Sequence, residues 1–276
     1  MSECNHNCGS CNSNCSDRKQ PADFRQPAHP KSKIKKVIGV VSGKGGVGKS
    51  MTSGMLSVVL NQHGYRTAVL DADITGPSIP KLFNIHGRAK GDSNGILPAV
   101  TQTGIQIMSV NLMLENEEDP VVWRGPIIAN VVKQFWQEVI WQDVDFMFVD
   151  MPPGTGDVPL TVFQSLPVDA IVVVATPQEL VGMIVAKAVK MASMMNIPML
   201  GVVENMSYLA CPDCGKQIHL FGQGKLEKVC EKYQLPILAK VPLDPDLAEH
   251  ADQGTIEQLQ KPYWDNAVKA ILALNS

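Results

Sequence analysis

A glycine-rich stretch near residue 45 limits what this chain can fold into more than any other feature. It reads Gly43-Lys44-Gly45-Gly46-Val47-Gly48-Lys49-Ser50 and lies between an apolar run, residues 37–41, and a segment with helical periodicity, residues 51–63. Glycines at this spacing let backbone N–H groups approach a di- or triphosphate, and the following helix N-terminus adds partial positive charge. In this pattern the lysine at 49 reaches the outer phosphates and the serine at 50 ligates Mg²⁺. The stretch therefore predicts a phosphate-binding loop between a strand and a helix.

A second lysine, Lys44, directly follows the first glycine of this loop. A single bound nucleotide does not require it, so we expect Lys44 to reach a nucleotide held by a partner subunit. The loop resembles that of the deviant-Walker ATPases, the group containing MinD, ParA and the nitrogenase iron protein. The resemblance implies that Lys44 contacts phosphate across a homodimer and acts in catalysis with Lys49. The alternative is a solvated loop lysine.

Two apolar strands end in aspartates that suit the same chemistry. The run at residues 66–70 is followed by Asp71, Ala72 and Asp73. The run at residues 146–149 is followed directly by Asp150. Ligands of open α/β sheets bind at the carboxyl ends of the strands. Asp150 is therefore predicted to hold the hydration shell of Mg²⁺, and Asp73 to orient the attacking water or to hold Mg²⁺ through water. In the deviant-Walker ATPases Asp73 falls on the catalytic aspartate; the alternative is a helix or turn cap.

The loops after these aspartates, residues 74–78 and 151–157, are rich in Gly and Pro and are expected to sense the γ-phosphate as switch loops. Strands and helices alternate along the chain with short connections. This alternation predicts an α/β fold, a P-loop NTPase with a mostly parallel sheet covered by helices on both faces. Further predicted elements are strands at 170–175, 197–204 and 237–242, a hairpin of 96–100 with 105–110, a closing loop for the base at 242–246, and a final helix at 256–274. The domain is expected to span residues 33–276, with residues 1–32 as a flexible, cysteine-rich tail.

The tail contains four cysteines, Cys4, Cys8, Cys11 and Cys15, within twelve residues. Four thiolates this close together suit either tetrahedral Zn²⁺ or an iron–sulfur cluster, and the spacing does not choose between them. A disordered tail with unused thiols is the third reading.

A separate pair, Cys211 and Cys214, is spaced Cys-x2-Cys on a hairpin-like loop at residues 208–221. It provides two ligands, whereas a soft metal usually takes four. His219 and Cys230 are isolated candidates for completing the set. The simplest completion is a twofold axis at which two subunits share one metal centre, in line with the dimer that Lys44 suggests. A structural zinc ion and a redox disulfide are the alternatives.

Taken in order, residues 43–50, 71–80, 150–157 and 204–222 closely resemble the Mrp-type (ApbC/Nbp-type) iron–sulfur carrier ATPases. The resemblance covers residues 33–276 and implies that Cys211 and Cys214 hold a bridging [4Fe–4S] cluster at a dimer interface. Some members carry a second, amino-terminal four-cysteine cluster, which the tail matches in number and placement but not in spacing. By likeness to MinD-like proteins, Asn205 is expected to contact the adenine amino edge; the alternative is a turn at the strand end.

The sequence hypothesis is thus an ATP-binding and slowly hydrolysing homodimer that delivers a [4Fe–4S] cluster to apoproteins and works with cluster-assembly proteins. The chain has 276 residues, a net charge of −3 and 45% hydrophobic residues, and nothing in this composition suggests a general nucleic-acid or membrane-surface binder. It shows no signal peptide and no long apolar run, so the cytoplasm is the expected location. Two rivals remain: a MinD/ParA-like positioning ATPase and a zinc-stabilised nucleotide switch.

Overall fold

The computed structural model describes residues 25–73, 76, 78–114, 125–154, 156–177, 181–222 and 225–275. Its strands are β1 Ile34–Ser42, β2 Thr67–Asp71, β3 Lys90–Asp92, β4 Gly95–Leu97, β5 Ala99–Val100, β6 Gln106–Met108, β7 Val144–Asp150, β8 Ala170–Ala175, β9 Met199–Glu204, β10 Leu209–Ala210, β11 Gln217–Ile218 and β12 Ile237–Lys240. Its α-helices are α1 Lys49–Gln62, α2 Ile79–Leu82, α3 Gly125–Glu138, α4 Asp157–Ser165, α5 Val181–Met194, α6 Lys225–Tyr233, α7 Pro245–Gln253 and α8 Asp265–Leu272. The described residues also form 3₁₀ turns at Val110–Met113, Ile256–Gln258, Pro262–Trp264 and Ala273–Asn275.

Within the described residues, eight strands form one sheet in the order β12-β9-β8-β1-β7-β2-β6-β5. The pairings are parallel except the one between β5 and β6 at one edge. Parallel neighbours require crossover connections, which the helices supply. The predicted mostly parallel sheet is therefore confirmed.

Helices cover both faces of this sheet, as predicted. Strand β1 shows why, because its side chains alternate between two apolar clusters. Val37 and Val41 pack on one face with residues of α3, α4, α5 and α6. Ile38 and Val40 pack on the other face with residues of α1, α2, α7 and α8. A strand buried on both faces must be apolar along its length, which is how this run reads in the sequence.

The strand order brings three carboxyl ends together. Strand β7 lies between β1 and β2, and Asp150 is in register with Val40 on one side and with Asp71 on the other. The loop that follows β1 and the acidic ends of β2 and β7 therefore meet at one edge of the sheet, where open α/β folds bind ligands.

Two predicted elements differ from the structure because of prolines. Strands β5 and β6 do pair as an antiparallel hairpin, but Gly95–Leu97 pairs with β3 instead. Pro98 separates the two short strands and has no N–H for a ladder.

The single helix predicted at 256–274 is wrong: Lys261 is extended (φ −130°, ψ 117°) ahead of Pro262, and the helix begins only at Asp265. A residue before proline disfavours the helical conformation.

The chain before β1 lies against the domain rather than apart from it. The N–H of Gln26 donates to the carbonyl of Ser165 at the end of α4 (2.8 Å), and the indole Nε1 of Trp136 in α3 donates to the carbonyl of Gln26 (2.9 Å). The N–H of Lys33 donates to the carbonyl of Trp141 (2.9 Å). Residues 25–32, which the sequence analysis assigned to the flexible tail, therefore dock on the domain.

Candidate nucleotide site and cysteine hairpin

The glycine loop has the shape that a phosphate needs. Gly46 and Gly48 have left-handed φ values of 77° and 84°, which glycine adopts without strain. A Cβ placed on Gly45 or Gly46 would meet no atom within 4 Å, so the space above the loop is open. In this fully described loop no side chain caps the first turn of α1. The helix N-terminus is therefore available to an anion.

A cavity of about 460 Å³ opens above this loop, a volume within the usual range for small-molecule sites. Six of the predicted loop residues line it, together with Asp73. Its lining residues are Ser42, Lys44, Gly45, Gly46, Gly48, Lys49, Ser50, Met51, Asp73, Gly76, Ser78, Leu82 and Pro153. The structure thus brings the predicted loop and the predicted catalytic aspartate to the same cavity.

Lys49 lies at the base of the loop with its side chain only 5% exposed. Its Nζ is 2.9 Å from Oδ1 of Asp150 and 3.2 Å from Oδ2 of Asp73. Burial disfavours the ammonium form, but the charges of Asp150 and Asp73 outweigh it and raise the pKa of Lys49. Among the described residues, Nζ has no acceptor in hydrogen-bond geometry. The two carboxylates hold the ammonium by charge, and its N–H groups remain available to donate to a phosphate oxygen.

Asp150 is fully buried, and two hydroxyls hold its two oxygens. Ser50 Oγ donates to Oδ2 (2.5 Å), and Ser53 Oγ donates to Oδ1 (2.9 Å). The residues predicted to bind Mg²⁺, Ser50 and Asp150, are therefore in direct contact. Mg²⁺ takes hydroxyl and carboxylate oxygens as ligands, alongside phosphate oxygens and water. The two residues therefore fit the ion. Ser53 was not predicted from the sequence.

Asp71 is a second buried carboxyl near the site, and it was not predicted from the sequence as a site residue. It accepts hydrogen bonds from Ser109 Oγ (3.0 Å) and from the N–H of Asp73 (3.2 Å). Burial, and then the charge of Asp150, raise the pKa of Asp71 well above its usual value, although the charge of Lys49 opposes this. Asp71 fixes the backbone from which Asp73 projects.

Lys44 differs from Lys49 in its exposure. It lies on the exposed rim of the loop, where its carbonyl accepts a hydrogen bond from Ser42 Oγ (2.9 Å). An exposed lysine beside a phosphate loop is placed as a contact across a dimer would need. The contact itself stays a prediction.

Asn205 contacts the loop directly. Its Nδ2 donates to the carbonyl of Val47 (2.9 Å), and a Cβ on Gly48 would come within 2.0 Å of the same nitrogen. Gly48 is thus required both for its φ value and for the packing of Asn205. The side chain ties the end of β9 to the phosphate loop, while its predicted contact with adenine stays a prediction.

Beyond β9, residues 209–218 form the expected hairpin, here called the cysteine hairpin, from β10 and β11. At its tip the N–H of Cys211 donates to the carbonyl of Lys216, and the N–H of Gly215 donates to the carbonyl of Cys211 (both 2.9 Å). Backbone N–H groups of Cys214 and then Asp213 lower the pKa of the Cys211 thiol. Cys214 is exposed. The pair is accessible, and at least one thiol is biased towards the thiolate that binds metals.

The other suggested ligands do not join this pair. Cys230 lies in α6 at 3% exposure, and burial raises its pKa to about 11. Across the described part of the chain, no group of three or more Cys, His, Asp or Glu side chains is placed to hold a metal. Within the described residues, the cysteine hairpin therefore presents two thiols, and its metal stays a prediction.

Several predictions lie outside the described residues: the cysteines Cys4, Cys8, Cys11 and Cys15, and parts of both switch loops, at residues 74, 75, 77 and 155. The loop predicted at 242–246 is shorter than expected, because α7 begins at Pro245 with the Asp244 carboxylate accepting the N–H of Asp246. Among the described residues, no helix has the length and apolar character needed to cross a membrane.

The fold and the site define a P-loop nucleotide-binding protein with the MinD fold. The cell division ATPase MinD of Pyrococcus furiosus superposes with a TM-score of 0.56 at 18% identity, covering 87% of this chain and 99% of that one. A nucleotide-binding protein from Archaeoglobus fulgidus, in complex with ADP, has a TM-score of 0.76 at 40% identity, covering 84% of this chain and 91% of that one.

Relatives of similar sequence identify one family within the P-loop nucleotide-binding proteins. The iron-sulfur cluster carrier protein of Clostridium perfringens is 45% identical over 233 residues, 82% of each chain. The protein of the same name from Methanocaldococcus jannaschii is 41% identical over 263 residues, 92% of this chain and 90% of that one. Residues 33–274 match the family model ParA, described as NUBPL iron-transfer P-loop NTPase. The chain belongs to this family, which confirms the resemblance drawn from its motifs.

Proposed function

We propose that this chain is a cytoplasmic iron–sulfur cluster carrier that binds and slowly hydrolyses ATP with Mg²⁺. Two copies hold a [4Fe–4S] cluster between their cysteine hairpins and deliver it to apoproteins. The family and the carrier relatives support an iron–sulfur cluster as the cargo. The Archaeoglobus fulgidus protein in complex with ADP supports the nucleotide.

One observation carries the proposal: two accessible thiols follow, a few residues along the chain, a side chain that contacts the phosphate loop. The cysteine hairpin offers two thiols where a cluster takes four. Cys211 follows Asn205 by six positions, and Asn205 holds the phosphate loop through Val47. A twofold axis completes the ligand set with the same two cysteines of a second copy.

The residues of the cavity take distinct roles in ATP hydrolysis. Lys49 and the loop N–H groups bind the phosphates, and Asp73 orients the attacking water. Ser50 and Asp150 would hold Mg²⁺, which when bound offsets the negative charge of the phosphates. Lys44 completes the site of the other copy. Exchange of ATP for ADP alters the loop, and the Asn205–Val47 hydrogen bond passes the change to the cysteine hairpin.

Anaerobic reconstitution with iron and sulfide tests the cargo. The wild-type chain is compared with Cys211→Ser/Cys214→Ser, and Cys230→Ser is the matched control because its thiol is buried in α6. Iron and sulfide are measured, and transfer is followed by activation of an apoprotein that requires a [4Fe–4S] cluster. The double variant is expected to lose the hairpin cluster and the transfer, whereas the control keeps both.

Other outcomes point to the rival functions. A double variant that receives and passes on clusters at the wild-type rate would reject the proposal. A colourless protein with zinc at the hairpin would favour a zinc-stabilised nucleotide switch, and a protein that takes up no metal there would favour a positioning ATPase. Changing Cys4, Cys8, Cys11 and Cys15 together to serine, in the full chain, measures the contribution of the tail.

A further inference from the structure

Ser53 carries a buried hydroxyl near the nucleotide cavity to which the proposed mechanism gives no role. It lies one turn after Ser50 on α1, so both side chains share a helix face. That face meets the end of β7, where Asp150 stands. Ser53 is fully buried, and its Oγ lies 2.9 Å from Asp150 Oδ1 and 3.1 Å from the carbonyl of Lys49.

The two oxygens of Asp150 are held by different hydroxyls, and this matters once Mg²⁺ is present. The bond from Ser50 to Oδ2 involves a hydroxyl oxygen that is itself expected to ligate Mg²⁺. The bond from Ser53 to Oδ1 involves a residue that does not line the cavity. Ser53 is therefore able to hold the carboxylate in one orientation before and after the ion binds.

We propose that Ser53 is a positioning residue for the magnesium site: its hydroxyl fixes the Asp150 carboxylate so that one oxygen faces the ion and its water shell. This inference rests on the proposed function, because it takes Asp150 as the Mg²⁺ residue. It adds a residue that the phosphate-loop motif does not contain.

The competing explanation is ordinary helix packing. A buried serine often donates to the carbonyl four residues earlier, and the contact with Lys49 fits that pattern. Ser57 offers the matched comparison: it is also fully buried on α1, and its Oγ donates to the carbonyl of Gly54 (2.7 Å). Ser57 is buried as Ser53 is, but its hydroxyl donates to the backbone, whereas that of Ser53 lies within hydrogen-bond distance of Asp150.

The test measures affinity for a non-hydrolysable ATP analogue with Mg²⁺ and with EDTA, by calorimetry, and takes the ratio of the two affinities. Ser53→Ala is expected to lower this ratio about tenfold, the size expected for one hydrogen bond to a charged group. Ser57→Ala is expected to keep the wild-type ratio. Ser53→Thr, which retains a hydroxyl, is expected to recover most of it. Thermal unfolding checks each variant, and Ser53→Cys, a weak donor of similar size, replaces the alanine variant if that one is unfolded.

The outcomes separate the two claims. A wild-type ratio in Ser53→Ala overturns the inference and leaves the carrier proposal intact. Equal losses in Ser53→Ala and Ser57→Ala also overturn it, because both then reflect helix packing. No Mg²⁺ effect in the wild-type chain overturns the assignment of Asp150, and the inference with it.

Discussion

Two lysines five positions apart differ in burial, and that difference sets separate expectations for them. Lys49 is buried against Asp150 and Asp73, whereas Lys44 lies exposed on the loop rim. Lys49→Ala should abolish nucleotide binding, since it removes the phosphate donor and leaves buried carboxylates without a counter-charge. Lys44→Ala should keep nucleotide affinity within about threefold but slow hydrolysis by at least about tenfold, as expected when a charge contributed in trans is lost. Calorimetry and phosphate release measure the two effects.

The control for this comparison is Lys81, changed to Ala: its side chain is 70% exposed, pairs with Asp252 and does not line the cavity. It should leave binding and hydrolysis unchanged. A Lys44→Ala variant with wild-type hydrolysis would mean that Lys44 is a solvated loop residue.

Asp71 makes a prediction about pH. Its pKa is raised in the folded chain, first by burial and then by the charge of Asp150. The folded state therefore holds this proton more tightly than the unfolded state, whose carboxyl titrates near 3.8. The contribution to stability is present below that pH and is lost as the pH rises towards the folded pKa. Asp71→Asn should thus gain stability over the wild-type chain as pH increases from 4.

Urea unfolding at pH 5 and pH 8, without nucleotide or Mg²⁺, measures this difference. The gain in unfolding free energy of Asp71→Asn should be larger at pH 8. An equal difference at both pH values would show that Asp71 is ionised in the folded chain throughout this range.

Among the elements, the cysteine hairpin should be chemically distinct from α6. Backbone N–H groups lower the pKa of Cys211 from its ordinary value of 9.0, whereas burial raises that of Cys230 to about 11. Because the thiolate is the reactive form, iodoacetamide should modify Cys211 before Cys230, with a midpoint for Cys211 below pH 9. Cys230 should react only after unfolding. Peptide mass mapping of the metal-free, reduced chain identifies the modified sites, and early labelling of Cys230 would contradict this account of α6.

The docked segment before β1 can be tested through one hydrogen bond. Trp136→Phe removes the indole donor to the Gln26 carbonyl, a bond worth about 1 kcal/mol. Trypsin should therefore cut at Arg25 or Lys31 roughly fivefold faster in this variant. Trp141→Phe is the control, because that indole is also buried but donates to Phe135 instead. Equal cutting in both variants would show that the bond to Gln26 does not hold the segment.

Local patterns explain which elements were predictable. The phosphate loop is a contiguous motif, and β1 and β7 are apolar runs long enough to imply burial. The prediction of one final helix was wrong although Pro262 carries a local signal, because a proline and the residue before it disfavour the interior of a helix. The docking of residues 25–32 had no such signal, since backbone groups and a tryptophan far along the chain fix it.

At the scale of the whole molecule, the site residues with a local sequence signal were predictable, and those fixed by tertiary contacts were not. Ser50, Asp150, Asp73 and Asn205 follow recognisable strand ends or the loop, so they were predictable. Ser53 was not, because it contacts a residue 97 positions away and only the packing of α1 on β7 brings them together. Asp71 was read as the end of a strand, since its burial depends on the neighbouring strands and on Ser109.

At the scale of the assembly, the central claim is that one chain cannot complete the hairpin metal site. The most direct measurement is native mass spectrometry of anaerobically reconstituted chain with Mg²⁺ and ATP, in which Cys4, Cys8, Cys11 and Cys15 are serine so that only the hairpin loads. The account predicts a dimer carrying one [4Fe–4S] cluster per two chains. A monomer that retains a complete cluster would contradict it.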